Sequence, residues 1–189
     1  MNDPGFLLDD PAAGLTHSDP HIRRLAVSCL ATDPRRHEMV APLLGDESAA
    51  VRAEAAVVLG TTGEAALEPL LTAAANEAED AVIEAMAFAL GEIGETPAIA
   101  WLLGIATGDG ATAARETAVA SLGAIGDPSV VPTLLDLVTT GPPHVRKRCV
   151  VALTVFEGAA ARAAIEKART DRNSMVREAA EMVVGRPID

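Results

Sequence analysis

The chain has 189 residues, 49% of them hydrophobic and only 2% aromatic, with 27 acidic against 15 basic side chains and a net charge of −12. This length suits one substantial core or one repeat array, and an apolar fraction drawn from Ala, Val and Leu predicts an all-α fold of helix packed on helix. Such an acid excess argues against nucleic-acid binding over most of the molecule, because phosphate recognition draws on Lys and Arg.

The charge is uneven. Glu38 to Asp127 carries 15 acids against two bases, Arg52 and Arg115, whereas Pro128 to Asp189 carries nine bases against seven acids. The two cysteines, Cys29 and Cys149, lie far apart and neither belongs to a pair with metal-ligand spacing. That argues against a disulfide framework or a zinc site and fits a cytoplasmic protein. The start, MNDPGFLLDDPAAG, lacks the basic region and long apolar run of a signal peptide, and no apolar stretch reaches the length of a membrane span.

In chain order, Asp3-Pro4, Asp10-Pro11 and Gly14 break up residues 1–18 and leave room for one short helix around Phe6 to Leu8. This segment is either a cap on the open end of a repeat array or a mobile docking tail. From Asp19 the chain repeats itself. The phrase AVRAEAAVVLG at Ala50–Gly60 returns as HVRKRCVVALT at His144–Thr154, and with its Arg as position 0 the pattern falls at Arg23, Arg52, Ile83, Arg115, Arg146 and Arg177. Three residues on come Ala26, Ala55, Met86, Ala118, Cys149 and Ala180; seven on come Leu30, Leu59, Leu90, Leu122, Leu153 and Val184. Spacings of 29, 31, 32, 31 and 31 residues are those of a helical repeat array.

A second segment with a paired apolar core separates these anchor helices: APLL at Ala41, EPLL at Glu68, AWLL at Ala100, VPTLL at Val131 and AAI at Ala163. Each repeat is therefore two helices. Asp19-Pro20, Asp33-Pro34, Thr96-Pro97 and Asp127-Pro128 place a capping side chain before a proline at the first helical position. Gly60, Gly91, Gly123 and Gly185, eight after the anchor, are predicted as helix stops.

The pattern x-V-R-x-x-A-A-x-A-L-G, preceded by a short helix carrying P-L-L and often a D-P turn, resembles the HEAT repeat in the short bacterial form named after the phycobilisome lyases. The resemblance covers roughly Asp19 to Gly185. It implies a right-handed α-solenoid, a HEAT-like or armadillo-type superhelix of about six two-helix repeats, in a single domain over residues 19–189. It further implies that the anchor helices line the concave side, the others the convex side, and that the anchor Arg ties adjacent repeats by polar contacts. Ile83 interrupts that tie, and Pro42, ten residues before its anchor instead of the 14 seen from Pro69 and Pro132, implies a shortened convex helix.

At about 100° per residue, positions −1, 0, 3, 4, 6 and 7 gather on one side and position 5 lies nearly opposite, flanked by 1 and 2. Position 5 reads Ser28, Val57, Phe88, Ala120, Val151 and Met182, and position 1 reads Arg24, Ala53, Glu84, Glu116, Lys147 and Glu178. An apolar ridge thus runs beside a charged one. At helix separations of about 8–10 Å it forms a track roughly 50 Å long on the concave surface, the size of a peptide or helix. Either the ridge is open to a protein or peptide partner, basic and carrying hydrophobic anchors, or it packs against the adjoining repeat. The basic stretch Arg146, Lys147, Arg148, Arg162, Lys167, Arg169, Arg172 and Arg177 is either a solvated face or a contact for an acidic partner or anionic lipid surface.

Chemistry-bearing constellations are sparse. Deoxyhypusine hydroxylase, a HEAT-repeat di-iron enzyme, uses several His-Glu pairs, and here His37-Glu38 stands alone. His21 and His144 share a column that opens the helix and read as turn residues. HEAT-like DNA glycosylases need a basic, aromatic-lined concave face, and this chain has one Trp, Trp101, in a convex helix. Cys29 and Cys149, at positions 6 and 3, are expected on the buried side. No catalytic, cofactor or metal residue is assigned. The resulting expectation is a non-enzymatic adaptor or scaffold of bacterial, cytoplasmic type. The alternative, implied by the lyase relatives that attach bilins, is a subunit of a lyase or chaperone-like enzyme acting on a protein-bound or tetrapyrrole substrate.

Overall fold

The structure, a computed structural model, describes residues 5, 7 and 9–185. The described chain is helical, without strands, and divides into two compact units, Met1–Glu95 and Thr96–Asp189. In the first lie α1 (Pro20–Cys29), α2 (Arg36–Val40), α3 (Ala49–Gly60), α4 (Leu67–Ala74) and α5 (Asp80–Ile93). The second holds α6 (Ile99–Thr107), α7 (Thr112–Ile125), α8 (Val131–Thr140), α9 (Pro143–Ala152), α10 (Ala159–Ala168) and α11 (Ser174–Val184). The odd-numbered helices are the six anchor helices. Within the first unit α1 packs on α3 and α3 on α5; within the second, α7 packs on α9 and α9 on α11.

The columns explain this packing. Position −1 (Ile22, Val51, Val82, Ala114, Val145, Val176) and position 3 are buried in all six repeats, and the position-7 leucines are buried in the first five. Small residues let neighbouring anchor helices come close. A Cβ on Gly60 would stand 2.8 Å from the Ala89 Cα, and one on Gly123 would stand 3.0 Å from the Ala152 Cβ. The column thus serves close packing as well as termination. Gly60 is the last residue of α3, though without left-handed backbone, whereas Gly91 and Gly123 lie inside α5 and α7, which run on to Gly94 and Gly126. Those two adopt left-handed backbone (φ 77° and 71°), and their N–H groups close on the Leu90 and Leu122 carbonyls. Gly60 and Gly185 sit at helix ends, where stops were expected.

Helix starts also depart in part from expectation. Asp19 caps α1, accepting from the His21 N–H at 2.9 Å with Pro20 in the first turn. Asp127 accepts from the Ser129 N–H at 2.8 Å, but it caps a 3-10 turn, Pro128–Val130, that leads into α8. Thr96–Ala98 is a similar turn before α6. Pro34 lies in a turn two residues before α2, where Asp33 accepts from the Arg35 N–H. The shortening implied by Pro42 is present: α2 has five residues and yields to a 3-10 turn at Ala41–Gly45.

At the N-terminal end, Phe6 and Leu8 of the expected short helix lie outside the described residues. Leu7 is buried with Ile22 and Ala26, and Leu15 packs on the same cluster. A 3-10 turn at Pro11–Thr16, capped by Asp10, lies against α1. Gly14 is needed there, because a Cβ would run into the Leu7 side chain and stand 2.8 Å from the Ala26 Cβ.

Candidate functional site

Position 5 faces solvent. In the first unit Val57 is 40% exposed and Phe88 45%, with Ser28 half-buried beside them; in the second Val151 is 43% exposed and Met182 83%, with Ala120 half-buried. The reason is the helical wheel: with −1, 3, 4 and 7 turned into the packing, position 5 is left outside it. Of the charged column, Arg24, Glu84, Glu116 and Lys147 are half-buried and Glu178 is exposed.

Polar contacts cross between anchor helices along this row. In the first unit Glu54 of α3 gathers two predicted site residues from α1, accepting from Ser28 Oγ at 2.5 Å and from Arg24 Nη1 at 3.5 Å. In the second, His144 Nδ1 of α9 stands 3.3 Å from Glu116 Oε1 of α7. Sequence reasoning missed Glu54, which sits at position 2 beside the charged column. Glu84 and Glu92 lie one turn before and after Phe88 on α5, so the exposed ring stands between two carboxylates.

Behind the row, the anchor arginines form a ladder that holds repeats in register. Arg23 binds Asp46 with Nε and Nη2 at 2.7 and 2.8 Å and donates from Nη1 to the His17 carbonyl at 2.8 Å. Arg52 binds Glu77 likewise at 2.7 and 3.0 Å and donates to the Asp46 carbonyl at 2.9 Å. Arg146 binds Asp171 at 2.9 and 2.7 Å, and Arg177 donates to the Asp171 carbonyl at 2.8 Å. Each carboxylate stands six residues before the next anchor and also accepts a backbone N–H: Ser48 on Asp46, Ala78 and Glu79 on Glu77, Asn173 on Asp171. Two-pronged, charge-assisted bonds of this kind are the strong ones. The arginine bonds hold Asp46 and Asp171 below the usual carboxylate range and lower Glu77 to about 2.

The ladder has irregular rungs. Ile83 supplies no guanidinium, as the sequence implied. In the fifth repeat the acid's place is taken by Thr140, and Arg115 donates instead to the Ala106 carbonyl, at 3.2 Å. The sequence held a signal for the acid column, since Asp46, Glu77, Asp109 and Asp171 all stand at position −6, but the general acid excess hid it.

Other candidate chemistry is weak. Burial pushes the Cys149 thiol up to about 12, removing it as a nucleophile at neutral pH. Cys29, expected buried, is exposed at the end of α1. Among the described residues no three or more His, Cys, Asp or Glu side chains gather as a metal site, and no helix is long and apolar enough to cross a membrane. A cleft of about 740 Å3 opens between the Ala41–Gly45 turn and α4, where the partner helix is short, but its charged walls Asp46, Arg52 and Glu77 are ladder members.

A family model of HEAT repeats matches residues 38–116 and 99–185. The chain belongs to the HEAT-repeat family. Among solved structures this HEAT-repeat protein is similar to YibA of E. coli, at 16% identity and a TM-score of 0.68, covering 97% of this chain and 70% of that one. It is also similar to the complex of CpcE and CpcF of phycocyanin lyase from Nostoc sp. PCC7120, at 18% identity and a TM-score of 0.67, covering 81% of this chain and 100% of that one. A designed armadillo repeat protein in complex with the peptide (KR)4 is 18% identical with a TM-score of 0.66, covering 94% and 98%. These likenesses are of fold, the α-solenoid of HEAT and armadillo repeats. No curated protein matches the chain in sequence.

Proposed function

We propose that this HEAT-repeat protein is a non-enzymatic, cytoplasmic adaptor that binds a protein or peptide along the position-5 row of its anchor helices. One observation carries the reading: Val57, Phe88, Val151 and Met182, large apolar side chains of one column, are each 40% or more open to solvent. Exposed apolar side chains set among charges are the composition of a recognition surface. The partner is basic and brings hydrophobic anchors. The first unit holds 17 acids against five bases, while the second is balanced at ten of each, so the attraction is strongest at Val57 and Phe88. The peptide (KR)4 on the designed armadillo neighbour has the same sign. The described residues before α1 belong to this design as a cap, supported by Leu7 and Leu15 packed on Ile22 and Ala26.

Affinity capture from the source cell, with mass spectrometry of the captured proteins, tests this. Val57→Asp and Phe88→Asp are expected to lose the partner while the purified variants keep their helical circular dichroism. Recovery of the same partner by both variants would remove the row from the binding surface. A second reading, a lyase subunit acting on a tetrapyrrole or its protein carrier, is favoured by the likeness to the CpcE and CpcF complex. A visible chromophore retained by the purified protein would support it against the adaptor.

A further inference from the structure

We propose that Lys147, Arg148 and Val151 of α9 form a site for a carboxylate side chain of the protein partner, an Asp or Glu that sits beside one of its apolar anchors. The site rests on the adaptor reading and gives the partner's chemistry over the second unit, whose own acids and bases balance. The structure sorts the basic stretch of the sequence into three groups. Arg146 and Arg177 belong to the ladder, and Arg169 is held by Glu166 at 2.7 Å. Arg162, Lys167 and Arg172 are exposed. Lys147 and Arg148 differ from both groups: they are half-buried, and among the described residues neither has a hydrogen bond or an ion pair.

Arg148 is the clearer case, because its Nε is buried with no partner. Taking the donors of a cation out of water without an acceptor costs free energy. A carboxylate is the group that recovers it, since the guanidinium fork and the two carboxylate oxygens match in parallel bonds. With Nε closed off, the two Nη atoms are the end of the fork left for solution. Elsewhere the chain meets this need from within: Arg23, Arg52 and Arg146 are each bound by a carboxylate.

The repeat columns show why nothing inside the fold supplies an acid to Arg148. Position 2 reads Leu25, Glu54, Ala85, Thr117, Arg148 and Ala179, so only Glu54 and Arg148 are charged there. Glu54 is satisfied by positions 5 and 1 of the preceding anchor helix, Ser28 and Arg24. The counterparts preceding Arg148 are Ala120, whose side chain has no acceptor, and Glu116, whose Oε1 lies 3.3 Å from His144 Nδ1. Val151, one turn on from Lys147 and Arg148, is 43% exposed, so an apolar contact and two cations share one face of α9. Glu116 and Glu178, at position 1 of α7 and α11, return the sign to negative on either side. The cationic spot is thus one helix wide and calls for a single acid, not an acidic run.

Selection of random displayed peptides on the full chain, with counter-selection on Val151→Asp so that the peptides kept engage α9, tests the proposal. The expected peptides carry an Asp or Glu beside an apolar residue. In fluorescence titrations they bind Arg148→Gln about 10-fold or more weakly and Lys147→Gln about threefold more weakly. Exchanging the peptide's acid for its amide lowers affinity for the wild type and leaves that for Arg148→Gln unchanged, the coupling that a direct pair requires. Should Arg148→Gln disturb α9 by circular dichroism, Arg148→Lys decides, because it keeps the charge and loses the fork; a loss of about threefold or more is expected. Peptides kept without an acid, peptides with full affinity for Arg148→Gln, or a counter-selection that no peptide survives would each overturn the site and leave the rest of the row standing. Peptides indifferent to Val57→Asp, Phe88→Asp and Val151→Asp alike would remove the row, and the site with it.

Discussion

The rung between Arg146 and Asp171 allows a sharp test of what holds adjacent repeats together. The Arg146 side chain is 1% exposed and that of Asp171 is 14% exposed. Asp171→Ala removes the acceptor for Nε and Nη2 and leaves a buried guanidinium held, among the described residues, by the Gly141 carbonyl at 2.8 Å. Breaking a buried pair from one side costs about 3–5 kcal/mol, whereas replacing both partners by apolar groups is often close to neutral. The two single changes are not equivalent. With Arg146→Leu the carboxylate keeps the Asn173 N–H at 2.8 Å and some water, so the group left behind is better satisfied.

The expected order of stability is therefore wild type, then Arg146→Leu and the double variant, then Asp171→Ala last, at a loss of about 4 kcal/mol. With a urea slope of about 2 kcal/mol per molar, that loss lowers the midpoint for the second unit by about 2 M. Urea unfolding monitored by far-ultraviolet circular dichroism reads it directly. If Asp171→Ala shifts the midpoint by less than about 0.5 M, or if the double variant is less stable than Asp171→Ala, then the buried guanidinium does not need its carboxylate and the ladder argument fails.

The same geometry sets three more outcomes. Gly60→Ala should destabilise by about 1–3 kcal/mol despite the better helix propensity of alanine, because the new methyl meets the Ala89 backbone, while Gly104→Ala, with nothing within 4 Å, should stabilise by up to about 1 kcal/mol; thermal melts of the pair must move in opposite directions. Thr140→Asp should give Arg115 its missing carboxylate and raise stability by about 1 kcal/mol, a gain that disappears in an Arg115→Met background in urea titrations. Glu77 has its pKa lowered from 4.5 to about 2, so its contribution is fully present above pH 4.5 and is lost as pH falls towards 2; acid unfolding of Glu77→Gln, compared with wild type, should lose that part of the pH dependence.

Much of this fold was legible because its period is enforced by burial. Ile22, Val51, Val82, Ala114, Val145 and Val176 recur at position −1 since any polar group there would be buried without a partner. The glycine column was misread in part, for a physical reason. Gly at the end of an A-L-G phrase suits both a left-handed stop and a close helix approach, and only the position of the neighbouring Ala89 or Ala152 distinguishes them. The acid column was visible in spacing but not in composition, since a chain with 27 acids gives no reason to single out four. Cys29 shows the remaining limit: a helical wheel places a residue on one side of its helix but does not say whether a neighbour covers it.

The same contrast says where specificity resides. Columns −1 and 3 vary only among small and aliphatic side chains, because each must fit against its counterpart in the adjacent repeat. Positions 1 and 5 are released from that demand, and they vary in sign, size and polarity from Arg24 to Glu84 and from Ser28 to Phe88. A repeat that changes residue where packing asks for nothing is free to answer to something outside the fold. Phe88 is the strongest case: it is the single aromatic in the column, it is half open to solvent, and it stands between Glu84 and Glu92. With 45% of its surface open, the ring leaves nearly half its area for whatever meets it from solution.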